Sequence, residues 1–148
     1  MAEPGRVLGL DLGDVRIGVA ISDDGRRMAV PIGTIRTGAP RDVSAIADLV
    51  AEHGVTLVVV GHPLLLSGEV GERAHLAERF AEALRAILSV EVLLQDERLS
   101  TAEAERELRD AGASGRDRRR TVDRSAATVI LQAWLDAQAG RGRSVSGG

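Results

Sequence analysis

The sequence predicts an α/β protein built on a mixed sheet, and three observations carry that prediction. First, Arg6 to Leu12 (RVLGLDL) and Val55 to Val60 (VTLVVV) are near-continuous apolar runs, as in strands buried on both faces. Second, segments with apolar residues at helical spacing alternate with the later strands. Third, the first strand is followed at once by a turn and an alternating strand, so an antiparallel hairpin opens the chain.

The elements follow in order. Gly13-Asp14 supplies the hairpin turn, because glycine tolerates positive φ and aspartate bonds its own backbone. Ile17, Val19 and Ile21 alternate with Gly18, Ala20 and Ser22 in the returning strand. Asp24-Gly25 marks a second turn, and 28–32 a short third strand that Pro31 assigns to an edge or a strand end. After the loop 37–40, Val43, Ile46, Ala47, Leu49 and Val50 place a helix over 41–52, stopped by Gly54. His53 in its last turn suits the helix dipole. The strand at 55–60 ends in Gly61-His62-Pro63 and the loop 64–71, where ligands collect in open α/β sheets. A helix over 72–88 buries Ala74, Leu76, Ala77, Phe80, Ala81, Leu84 and Leu88. The next strand, 90–94, runs into Gln95-Asp96-Glu97-Arg98. Ser100 and Glu103 form a capping box for a helix that ends at Gly112. A polar loop, 113–120, precedes the last helix, 121–138. Residues 1–139 therefore form one domain, and 140–148 (GRGRSVSGG) is a tail expected to be disordered.

Composition narrows the chemistry. With no cysteine in 148 residues, thiolate nucleophiles, thiolate metal sites and disulfides are excluded. All 19 basic residues are arginine, which excludes lysine nucleophiles, Schiff bases and a P-loop lysine. One Phe, one Trp and no Tyr leave no aromatic platform for stacking single-stranded bases. Net charge is −3, so the whole-molecule charge does not mark a nucleic-acid binder. No apolar run approaches twenty residues and MAEPGR lacks a signal-peptide core, so a soluble cytoplasmic protein without membrane contact is expected.

What stands out is the placement of carboxylates. Asp11 sits inside an apolar strand, where an ionised group is costly unless a cation or donors meet it. It either bonds the hairpin's own amides or serves a ligand at a rigid strand end. Asp96 and Glu97 end the last strand; side chains alternate, so only one of them faces the site. Asp123 precedes Ala126, Ala127 and Ile130 at i+3, i+4 and i+7, on the apolar side of the last helix; it is either a first-turn carboxylate favoured by the helix dipole or one brought near a strand end. Three such carboxylates, without His or Cys partners, suit Mg²⁺ or Mn²⁺, and two such ions serve phosphodiester hydrolysis. The basic run Arg116, Arg118, Arg119 and Arg120 is a solvated loop or a grip on phosphate. His62 is the best-placed histidine, with a structural hydrogen bond as its commoner role, while Ser100 has a capping role and no histidine base beside it.

Four stretches carry a family resemblance: GLDLGDVRIGVAISD, VVVGHPLLLSG, DERLSTAEAERELRDAG and VDRSAATVILQAWLD. Together they make the chain resemble the YqgF/RuvX family, whose members are labelled pre-16S rRNA nucleases or Holliday junction resolvases. The resemblance implies a ribonuclease-H-like fold with sheet order 3-2-1-4-5. It implies that Asp11, Glu97 and Asp123 form the catalytic, metal-binding acidic site, and that Arg16 contacts phosphate, with Arg98, Arg118, Arg119 and Arg120 as further nucleic-acid contacts. It also places the family's strand-end loop on Gly61, Pro63, Leu64 and Gly68. This chain departs from the family pattern at Val15, where a basic residue is common, at the leucines of the strand-end loop, and at Asp117 within the basic loop.

The expected function is therefore metal-dependent endonucleolytic cleavage of structured nucleic acid, in 5′-end maturation of pre-16S rRNA or in junction-DNA resolution. A binding factor for RNA or the transcription machinery with a vestigial site is the alternative from another class. A sugar-kinase or actin-like phosphate loop at Asp11-Leu12-Gly13 is disfavoured, because 148 residues leave no room for two such domains. Monomer and homodimer both remain open; two symmetric cuts in a junction would need a dimer.

Overall fold

A computed structural model describes residues 5–97 and 125–147. Within them the order is β1 (Arg6–Leu12), β2 (Arg16–Ser22), β3 (Ala29–Arg36), α1 (Arg41–His53), β4 (Val55–His62), α2 (Glu72–Ile87), β5 (Glu91–Asp96) and α3 (Ala126–Gly147). The five strands form one sheet in the order β3-β2-β1-β4-β5. β1 pairs antiparallel with β2 and parallel with β4, so the sheet is mixed, as the opening hairpin requires. β1 lies at its centre, which is why its apolar residues occupy both sides of the pleat.

Two apolar layers sandwich the sheet. Leu8, Leu10, Ile17, Val19, Val58 and Val60 pack with Val43 and Ile46 of α1 and with Phe80, Ala81 and Leu84 of α2. Val7, Ala20, Leu57 and Val59 pack with Ala126, Ala127, Ile130, Leu131 and Leu135 of α3. Alternation along each strand thus sends even-numbered residues of β1 toward α1 and α2, and odd-numbered ones toward α3.

Several boundaries differ from the sequence expectation. β3 starts at Ala29 and runs to Arg36, well past the expected 32. Its partner strand extends that far and supplies backbone bonds through Arg16↔Arg36, which local pattern does not reveal. β4 and β5 each gain two residues at their carboxyl ends by pairing His62 with Asp96. Leu76, expected in the buried stripe of α2, is instead exposed. The last helix is described from Ala126, with Ser125 as its N-cap, its Oγ accepting from the Thr128 amide; the expected start at 121 lies outside the described residues. The backbone of α3 continues to Gly147, past the expected end at 138 and through the segment expected to be a tail. The expected helix 101–112, the capping Ser100 and the basic loop lie outside the described residues.

Specific polar contacts lock the frame. The buried Ser22 hydroxyl accepts from the Val7 amide and donates to the Asp23 carbonyl. Gln132 of α3 accepts from the Ala29 amide and donates to the Arg27 carbonyl, tying α3 to the edge strand. Gly54 takes the left-handed C-cap of α1 at φ 65°.

Candidate active site

The site lies at the carboxyl end of β1, on the α3 side of the sheet. Gly9 and Asp11 follow Val7 on that face. A Cβ at Gly9 would stand 2.7 Å from Leu131 Cβ, so the bare backbone lets α3 settle directly onto β1. Gly18 stands opposite Asp11 in the hairpin register. A Cβ there would touch Ala127 Cβ at 3.5 Å and Asp11 Cβ at 3.7 Å, so the first turn of α3 and Asp11 meet over Gly18. The helix N-terminus brings partial positive charge, which favours a carboxylate nearby.

Glu97 reaches the same region from the far side of β4. It is only 2% exposed. A Cβ at Gly61 would stand 2.7 Å from Glu97 Oε2 and 2.6 Å from Ile130 Cδ1. Gly61 therefore leaves a lane through which the glutamate lies over β4, against α3 and toward β1. Parity explains why Glu97, and not Asp96, shares the face on which Asp11 lies. Val92 packs in the α1/α2 layer and Leu93 against the α3 layer, so Asp96 points to α2 and Glu97 to α3. Asp96 pairs in register with His62. Asp11 and Glu97 each make at least one further interaction in the folded chain.

Of the other expected site residues, Arg16 opens β2 and is exposed beside the turn. That turn is well held: the Gly13 amide donates to the Arg16 carbonyl at 3.0 Å, while Thr37 donates its amide to Val15 and its hydroxyl to Gly13. Asp123, Arg98, Arg118, Arg119 and Arg120 lie outside the described residues. Among the described residues no group of three potential metal ligands comes together; Asp11 and Glu97 share the α3 face of the sheet. His62 lies on the other face, its Nε2 2.8 Å from Glu78 Oε2 of α2, and His75 Nδ1 approaches the same carboxylate at 3.4 Å. This arrangement gives His62 the structural role. Asp42 is buried too, but its oxygens accept from the Gly38 and Val43 amides, so it shapes the start of α1.

Sequence reasoning missed the contributions of Gly9 and Gly18, small residues inside strands that signal close approach of another backbone. It also missed Ser125 as a cap, although Ser125 followed by Thr128 before an apolar run is a usable signal.

Comparison with known proteins gives a consistent picture. A family model described as "RuvX: Holliday junction resolvase" matches residues 5–137. The protein named "Putative pre-16S rRNA nuclease" of Anaeromyxobacter dehalogenans (strain 2CP-C) is 50% identical over 135 residues, covering 90% of this chain and 98% of that one. Its namesake in Roseiflexus sp. (strain RS-1) is 42% identical over 139 residues, covering 93% and 98%. Among solved structures, Thermus thermophilus RuvC in complex with a Holliday junction substrate aligns with a TM-score of 0.54 at 14% identity, over 92% of this chain and 96% of that chain. At that identity the likeness is one of fold, and it matches the ribonuclease-H-like sheet order expected from the sequence. With the family model spanning nearly the whole domain and relatives this similar end to end, the chain belongs to the RuvX family.

Proposed function

We propose that this protein is a metal-dependent endonuclease that hydrolyses phosphodiester bonds in 5′-end processing of pre-16S rRNA, working in the cytoplasm. Asp11, Glu97 and Asp123 are its catalytic carboxylates. The observation that carries this reading is the passage of buried Glu97 over Gly61, on the sheet face that Asp11 shares, in a chain whose relatives bear the pre-16S rRNA nuclease name. Asp123 completes the set: in sequence only Arg124 stands between it and Ser125, the N-cap of α3.

The donors fit a hard divalent cation. They are carboxylate oxygens without thiolate or imidazole, which suits two Mg²⁺ or Mn²⁺ ions. When bound, such ions lower the pKa of a water nucleophile and stabilise charge on the leaving oxygen. The chain itself fixes the carboxylates on rigid strand ends and adds the positive end of the α3 dipole. Arg16, presented on the Thr37-braced turn, meets a phosphate oxygen as a charged donor. Arg98, Arg118, Arg119 and Arg120 extend the grip along the backbone of the substrate. No helix among the described residues is long and apolar enough to cross a membrane, in keeping with this setting.

The family description favours a second substrate, four-way junction DNA, at the same site. A cleavage panel decides between them: precursor 16S rRNA, single-stranded RNA and junction DNA, each with Mg²⁺ and with Mn²⁺. Wild type should cut the precursor RNA. Asp11→Asn and Asp123→Asn should each lose at least about 100-fold, as expected for a lost ligand. Unchanged cleavage in both variants would show that the acidic site is misassigned, and binding without cleavage by wild type would favour a binding factor.

A further inference from the structure

We propose that the crevice between α1 and α2 is a nucleotide slot that takes one unstacked base of the substrate strand, next to the bond cut at the acidic site. The proposal rests on the nuclease reading above and adds a substrate requirement to it: an unpaired nucleotide flanking the scissile phosphodiester.

The crevice encloses about 420 Å³, within the usual range of small-molecule sites. Leu12 and Gly13, the residues that follow Asp11, line it. It therefore adjoins the acidic site through the strand itself, on the opposite face of the sheet. A substrate strand crossing the carboxyl edge of β1 meets one site and then the other. The walls are mainly apolar, from Leu12, Leu76 and Phe80, and Arg73 and Arg79 of α2 stand beside them.

Two features give the crevice its ligand class. Leu76 falls on the apolar stripe of α2, yet it is 40% exposed. Its uncovered surface faces a concavity rather than a neighbouring helix. Both arginines are exposed, and neither forms an ion pair among the described residues. Two carboxylates also line the crevice. Asp42 is 4% exposed and turned onto backbone amides, whereas Asp14 lies in the solvent on the hairpin turn. The exposed charge is thus two guanidinium groups against one carboxylate. An apolar slot flanked by two guanidinium groups fits an unstacked base, which can rest on an arginine plane, together with its phosphates.

The test measures RNA binding to the full chain by fluorescence anisotropy without divalent metal, using a precursor-rRNA oligonucleotide and a set carrying one abasic position each. For wild type, one abasic position should weaken binding by about tenfold. Leu76→Trp, which fills the slot, should weaken binding of the intact RNA by a similar factor and respond equally to every abasic position. Leu76→Met should keep the wild-type profile, and unchanged circular dichroism melts would confirm folding. Arg73→Ala and Arg79→Ala should each lower the salt slope by about 0.7 without changing the abasic profile. A flat profile in wild type, or an unaltered one in Leu76→Trp, overturns the slot. AMP and GMP competition distinguishes a free nucleotide from a strand nucleotide: mononucleotide binding lost in Leu76→Trp, with a flat abasic profile, would overturn the substrate assignment. A wild type that shows the profile but cleaves nothing leaves the slot standing and removes the nuclease reading; cleavage with a flat profile does the reverse.

Discussion

Gly61→Ala is the sharpest probe of how the acidic site is assembled. The added methyl would stand 2.7 Å from Glu97 Oε2 and 2.6 Å from Ile130 Cδ1, where ordinary contacts begin near 3.4 Å. The carboxylate must therefore retreat by about 0.7 Å and the isoleucine methyl by about 0.8 Å, the shortfalls from ordinary contact. Both atoms are the far ends of flexible side chains, so the cost to stability is mainly that of Ile130 leaving its rotamer, about 0.5–1.5 kcal/mol. For a domain of this size the melting temperature should fall by roughly 2–5 °C. The effect on chemistry should be larger, because a displacement approaching 1 Å at a reacting centre costs about 100-fold in rate. Single-turnover cleavage of precursor RNA, Mn²⁺ affinity by calorimetry and a thermal melt together give the three readings. The double variant Gly61→Ala/Glu97→Gln should be no slower than Glu97→Gln alone, since both act on one group. If Gly61→Ala lowers the melt as expected but cleaves and binds Mn²⁺ within threefold of wild type, the passage of Glu97 over Gly61 is not what the reaction uses.

Three further outcomes follow from the packing and the polar contacts. Gly9→Ala forces a carbon to 2.7 Å from Leu131 Cβ, against a helix that has no flexible side-chain end to withdraw; it should destabilise by about 1–3 kcal/mol in urea melts. Ser125→Ala removes the cap that accepts from the Thr128 amide at 3.2 Å and should cost about 0.5–2 kcal/mol, with cleavage falling further than stability if the start of α3 aligns Asp123. Asp23 accepts from the amides of Arg27 and Met28, and these bonds hold its carboxyl below its ordinary value of 3.8. Its stabilisation is thus present above the unfolded carboxylate pKa and is lost as pH falls through the lower folded one. Asp23→Asn should accordingly lower the urea midpoint at pH 7, and the gap to wild type should close on acidification below pH about 4.

The division between what the chain states locally and what the fold decides is clear at particular residues. Buried β1 and β4, the Gly54 stop of α1 and the helix at 72–87 were all legible, because each depends on periodicity or on one residue's backbone preference. The odd placement of Asp11 inside an apolar strand was legible for the same reason: the cost of burying a charge is visible without a structure. The hairpin turn was legible for another reason than the one expected: Gly13 is not at positive φ, and a Cβ there would stand 2.6 Å from the Arg16 carbonyl oxygen. Strand lengths were not, since β3 continues to Arg36 only because β2 lies beside it to bond. Which of Asp96 and Glu97 shares a face with Asp11 was not either. It depends on which side of the sheet each side chain leaves, and that is fixed by register with β4 and by the helix packed on each face. Leu76 looked like core by spacing, but whether an apolar stripe is covered depends on what the neighbouring helix leaves open. Most of the elements, their order and a set of acidic candidates can be read from local pattern alone. That Gly9, Gly18 and Gly61 clear the ground between α3 and the sheet cannot, because the need for a missing side chain arises only where two elements come into contact.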